Sequence, residues 1–122
     1  MLMSVLALVL AVPMQQAPPA PKPELAVISA RLGSCAADFT VTGADGTPVY
    51  AASIHVRIRY GFLGLKRMDL EVGTNSDGKA RVDTLPVEAR PLVYDISKGT
   101  LKTTVEQNLT TGCQASFAVS LK

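Results

Sequence analysis

The sequence predicts an all-β fold, a Greek-key β-sandwich of about seven or eight strands, and three observations predict it. Apolar and polar residues alternate with period two from Glu24 onward. No window of a dozen residues carries the i, i+3, i+4, i+7 spacing of an amphipathic helix. Turn chemistry recurs about every 8 to 15 residues, the spacing of short strands joined by tight connections.

Ahead of the β-patterned body, the residues Met1 to Val12 contain no charged side chain and only Ser4 as a polar one. This matches the apolar region of a secretory signal and is too short for a transmembrane helix, which needs about 20 apolar residues. Lys22 is the first positive side chain, so a start upstream of Met1 stays open. Ala11, Ala17 and Ala20 are small enough for a signal peptidase, although Ala17 and Ala20 each precede a proline. Pro13, Pro18, Pro19, Pro21 and Pro23 then favour extended polyproline II, which suits a semi-rigid spacer. The expected organisation is a signal peptide over residues 1–17, a proline-rich linker over 18–23 and one β-domain over 24–122, exported to the periplasm or secreted. Membrane contact is expected only transiently or through an uncleaved signal segment.

The clearest strand is Ile54-His55-Val56-Arg57-Ile58-Arg59-Tyr60, in which the aliphatic residues and Tyr60 face one way and His55, Arg57 and Arg59 the other. Met68 to Val72 forms the returning strand. Folding the hairpin about Gly64 sets Val56 opposite Val72, Arg57 opposite Glu71, Ile58 opposite Leu70 and Arg59 opposite Asp69, which places opposite charges together on the wet face. Further strands are expected over Leu25 to Leu32, Cys35 to Thr42, Ala80 to Asp83, Leu92 to Ser97, Leu101 to Asn108 and Gln114 to Leu121. Asp45-Gly46, Asp77-Gly78 and Lys98-Gly99 supply residues that accept positive φ, while Pro48, Pro86 and Pro91 sit at strand edges.

Two cysteines in an exported chain are expected to pair, since oxidising compartments favour disulfides. Cys35-Ala36-Ala37-Asp38-Phe39 and Cys113-Gln114-Ala115-Ser116-Phe117 share the spacing C-x3-F. In each strand Cys and Phe therefore fall on one face, and parallel, in-register neighbours would bring the sulfurs together. Two free buried thiols are the alternative. Leu32-Gly33-Ser34-Cys35 looks like a lipobox, but a lipobox closes directly on its apolar segment, whereas Glu24, Arg31 and the proline spacer intervene here.

The segment from Asp38 to Ile96 resembles the carboxypeptidase regulatory-like domains. The residues that carry this are Phe39-Thr40-Val41 leading to Asp45-Gly46-Thr47-Pro48-Val49, then Ala52-Ser53-Ile54-His55-Val56, then Thr74-Asn75-Ser76-Asp77-Gly78-Lys79-Ala80 and Leu85-Pro86. After Leu85-Pro86 the family has a Gly and a Tyr, where this chain has Val87-Glu88-Ala89-Arg90-Pro91 before Tyr94. The resemblance implies a transthyretin-like (prealbumin-like) Greek-key sandwich that acts as a stabilising, adhesive or carbohydrate-contacting module. The hydrolase branch of transthyretin-like proteins needs several histidines and a C-terminal Tyr-Arg-Gly-Ser. This chain has one histidine and ends Ser120-Leu121-Lys122, so that activity is not implied.

Composition narrows the function classes. Formal net charge is +2 with scattered charges, lacking the clustered Lys and Arg of a nucleic-acid binder. No cofactor is expected, because neither Gly-rich phosphate loop is present. No metal site is expected either: paired cysteines and one His cannot build a usual zinc site, and the calcium-like run from Gly73 has Gly first and Thr84 twelfth where Asp and Glu are required. Asn108-Leu109-Thr110 is a glycosylation sequon only in a eukaryotic source.

The expected partner contact is the hairpin tip Gly61-Phe62-Leu63-Gly64-Leu65, whose large apolar residues Phe62, Leu63 and Leu65 are unusual in a turn, followed by Lys66 and Arg67, which favour an anionic surface. The competing reading has the three side chains capping the open end of the core. The expected function is thus a non-enzymatic binding or structural module of the cell envelope or the exterior, with a protein or glycan as partner. The alternative, a small or degenerate hydrolase, would need His55 beside Asp69 or Glu71 in a cleft.

Overall fold

The alternating pattern folds into two facing sheets in a computed structural model that describes residues 24–88 and 90–122. The expected signal segment and proline-rich linker lie outside the described residues. Eight strands form: β1 (Ala26–Ser29), β2 (Cys35–Gly43), β3 (Ser53–Tyr60), β4 (Lys66–Gly73), β5 (Lys79–Leu85), β6 (Leu92–Lys98), β7 (Leu101–Gln107) and β8 (Gln114–Leu121). One sheet has the order β1-β5-β2-β8 and the other β4-β3-β6-β7. The architecture is therefore the expected all-β sandwich. Among the described residues the only helical piece is a 3-10 turn at Phe62–Gly64, and no helix is long and apolar enough to cross a membrane.

Period-two alternation places the core between the sheets. Ile54, Val56 and Ile58 of β3 and Leu92, Tyr94 and Ile96 of β6 are buried, facing Phe39 and Val41 of β2, Ala80 and Val82 of β5, and Val119 and Leu121 of β8. Burying such apolar side chains is the main force that holds the sheets together.

The pairing of β2 with β8 is parallel, with Phe39 opposite Phe117 and Ala36 opposite Gln114. This is the arrangement that the matched C-x3-F spacing predicts. Cys35 and Cys113 are joined in a disulfide with their Cα atoms 4.6 Å apart. The two phenylalanine rings stack at 5.3 Å, and Tyr94 from the opposite sheet meets the Phe39 ring edge-on at 4.8 Å. The Cys35–Cys113 disulfide points to a non-cytosolic environment.

Beside the disulfide lies a buried polar network. The Tyr94 hydroxyl donates to Gln107 Oε1 at 2.6 Å, and Gln107 Nε2 donates to the carbonyls of Ala36 at 3.0 Å and Gly112 at 2.8 Å. Both residues are buried, and Gln107 thereby ties β7 to β2 and to the loop that carries Cys113.

The expected first strand, Leu25 to Leu32, is shorter than its apolar pattern. Strand β1 ends at Ser29 because Arg31 adopts φ 58° and the backbone turns toward Thr84. The Arg31 amide donates to Thr84 Oγ1 at 2.6 Å, and the amides of Leu32 and Gly33 both donate to the Thr84 carbonyl at 2.9 Å. Thr84 itself sits at φ 51°, next to an irregular register between β2 and β5.

At the Asp77-Gly78 turn, Asn75 Oδ1 accepts the amides of Asp77 and Lys79, each at 2.9 Å. Gly78 lies at φ 73°, and a Cβ there would clash with the Val41 carbonyl oxygen. We expect Gly78→Ala to cost at least about 2 kcal/mol, from left-handed strain plus the clash. Gly99→Ala should cost only about 1 kcal/mol, since it carries strain without contact. Urea unfolding of both variants checks this; equal midpoints would contradict it.

Candidate functional site

The hairpin of β3 and β4 carries every candidate contact residue, and its register differs from the sequence expectation by two residues. Val56 lies opposite Leu70, Arg57 opposite Asp69, Ile58 opposite Met68, and Arg59 opposite Arg67, with Tyr60 and Lys66 closing the ladder. An even shift keeps the apolar set on the core face, so burial does not distinguish the two registers. The loop conformation decides between them. The chain does not fold about Gly64; it turns through the 3-10 segment between Gly61 and Leu65, where Gly61, Leu63 and Gly64 all take positive φ. The amides of Gly64 and Leu65 donate to the carbonyls of Gly61 and Phe62, each at 3.2 Å.

This register corrects the expected ion pairs. Asp69 pairs with Arg57, whose Nε donates to Oδ1 at 3.1 Å, instead of with Arg59. Glu71 accepts the Ser53 hydroxyl at 2.5 Å instead of meeting Arg57. Arg59 is left facing Arg67, a like-charge pair on neighbouring strands, which is destabilising in isolation. Among the described residues, Arg59, Lys66 and Arg67 make no ion pair.

Phe62, Leu63 and Leu65 are 81%, 79% and 76% exposed, and none belongs to the core cluster. They therefore do not cap the open end of the sandwich. Leu63 holds φ 56°, a left-handed conformation that costs a side-chain-bearing residue roughly 1 to 2 kcal/mol. The turn hydrogen bonds on either side of Leu63 hold this conformation, while its side chain gains no core packing.

His55 is half-exposed on the outer face of β3, with Nε2 3.4 Å from Asp69 Oδ1. Next to it runs an open groove of about 480 Å³, lined by His55, Arg57, Arg59, Glu88, Arg90 and Asp95 among others. The His–carboxylate contact that a hydrolase would need is thus present beside a cleft. However, the same Asp69 oxygen also accepts Arg57, and among the described residues no hydroxyl or thiol is hydrogen-bonded to His55. The side chains of His55, Arg57 and Arg59 all line this groove: the first two share Asp69, and Arg59 lies opposite Arg67.

The sequence carries no local signal for Arg59 facing Arg67 or for Glu88 and Arg90 as groove residues. The first depends on loop conformation, and the others on a groove assembled from residues far apart in sequence. Among the described residues there is no cluster of His, Cys, Asp or Glu able to hold a metal ion. Compared with known proteins, the chain matches no protein-family model and no curated protein sequence.

Proposed function

We propose that the protein is an exported, non-enzymatic β-sandwich module that binds a component of the cell envelope or exterior through the tip between β3 and β4. The observation that carries this reading is the solvent exposure of Phe62, Leu63 and Leu65 together, with Leu63 held at positive φ. Contiguous exposed apolar side chains mark interaction sites in folded proteins, and strain without packing gain is characteristic of functional loops. The disulfide favours an oxidising compartment, and the apolar segment Met1 to Val12 supports export as the route to it. The carboxypeptidase regulatory-like resemblance fits the same role, since such modules act as adhesive or stabilising accessories. A hydrolase using His55 is the weaker reading, because Asp69 is shared with Arg57.

The test is sedimentation of the full chain with an envelope fraction. The wild type is expected to co-sediment, and Phe62→Ser with Leu63→Ser to remain in the supernatant. The thermal midpoint of the variant should stay within about 3 °C, because exposed substitutions change stability little. Undiminished sedimentation of a folded variant would remove the tip as the contact.

A further inference from the structure

We infer that the tip is a membrane-docking wedge and that its partner is an anionic lipid surface. This rests on the reading of the tip as the contact site and names what it contacts. The apolar side chains of Phe62, Leu63 and Leu65 project from the end of the hairpin, exposed and outside the core cluster. Immediately behind them stand Lys66, Arg67 and Arg59, exposed and without an ion-pair partner among the described residues. The nearest carboxylate along the hairpin, Asp69, is occupied by Arg57 and His55.

Spacing fits a bilayer. Strand residues rise about 3.4 Å each, so the collar cations at Arg67 and Arg59 lie within roughly 10 Å of the apolar tip along the hairpin. Apolar groups bury about 5–10 Å into the boundary between headgroups and acyl chains, which would leave these cations level with the phosphates. The half-buried Tyr60, one residue beyond Arg59, stands where amphipathic rings favour the interface.

The opposed pair Arg59 and Arg67 supports a lipid partner over a neutral one. Like charges across a ladder repel in the free protein, and a dense array of phosphates relieves that repulsion while attracting both. A wedge of three side chains and three cations also suits reversible docking, because neither term alone holds a protein on a membrane.

The chain has no Trp, so Phe62→Trp in the full-length protein provides a single emission reporter at the tip. With vesicles of phosphatidylcholine containing phosphatidylglycerol we expect a blue shift, and quenching by bromine placed high on the acyl chains. Phosphatidylcholine alone should give little of either, and 1 M salt should weaken the effect, since the screening length falls to about 3 Å. Leu63→Ser and Leu65→Ser in the Phe62→Trp background should each weaken vesicle partition roughly tenfold. Lys66→Glu with Arg67→Glu should abolish the preference for anionic vesicles.

Comparing variants that share one N-terminus separates the tip from the apolar segment Met1 to Val12. If the indole emission of the Phe62→Trp protein does not respond to anionic vesicles while Phe62→Ser with Leu63→Ser still abolishes envelope sedimentation, the lipid inference falls and the contact is a protein or glycan. If the serine variant keeps its envelope sedimentation, both readings fall.

Discussion

Replacing Cys35 and Cys113 together by alanine is expected to lower the unfolding free energy by roughly 4 to 5 kcal/mol, the value that the chain-entropy model assigns to a loop of this length. The bridged residues are 78 apart in sequence, so the bond removes a large set of open conformations from the unfolded chain. A small domain is stable by only about 5–15 kcal/mol, so the variant should be close to unfolding at 37 °C. The stacked Phe39 and Phe117 rings and the β2–β8 ladder survive the substitution, which makes native structure at low temperature the expected state. Urea unfolding of the double variant, beside wild type with and without reductant, measures the effect. A loss below about 1 kcal/mol would contradict this account and show that the unfolded chain is already restricted without the bond.

The second large effect is expected at Gln107. Substituting leucine keeps the side chain's size but removes its bonds to Tyr94, Ala36 and Gly112. Each buried polar group left without a partner costs about 1–3 kcal/mol, so Gln107→Leu should cost about 3 kcal/mol or more. Tyr94→Phe should cost less, since it leaves only one acceptor on Gln107 without its donor. Burial also pushes the Tyr94 phenol well above its ordinary 10.0. A raised folded value means that the unfolded chain loses this proton first, so the stability is complete below pH 10 and declines as pH rises beyond it. The alkaline decline should be shallower in Tyr94→Phe than in wild type. Calorimetric midpoints of the variants across pH 7 to about 11 test both points. A Gln107→Leu protein as stable as wild type would overturn this account.

The fold was legible where chemistry repeats locally. Alternation in Ile54 to Tyr60 needs only the two-residue period of a strand, and the paired C-x3-F contexts converted two cysteines into a neighbour relation between β2 and β8. The hairpin register was not legible, because both candidate registers bury the same residues. The difference lies in the left-handed conformation of Leu63, which a leucine does not advertise. Gln107 was hidden for a related reason: a polar residue at a strand end reads as solvent-facing, and only the position of Tyr94 across β6 and β7 makes it interior. The apolar tip was plain in the sequence, but its exclusion from the core and the opposition of Arg59 and Arg67 required the loop's geometry.

The placement of β8 also governs when the domain can form. Strand β2 is the interior strand of its sheet between β5 and β8, so it gains its second neighbour only from Gln114–Leu121, far along the sequence. Contacts across such long sequence separations make folding slow, because the intervening loop must be ordered before they form. A growing chain that has not yet reached Gln114 has neither a cover for the outer edge of β2 nor a completed core at Val119 and Leu121. Until Gln114 to Leu121 are in place, β2 keeps one open edge and the sandwich cannot close over Phe39 and Val41.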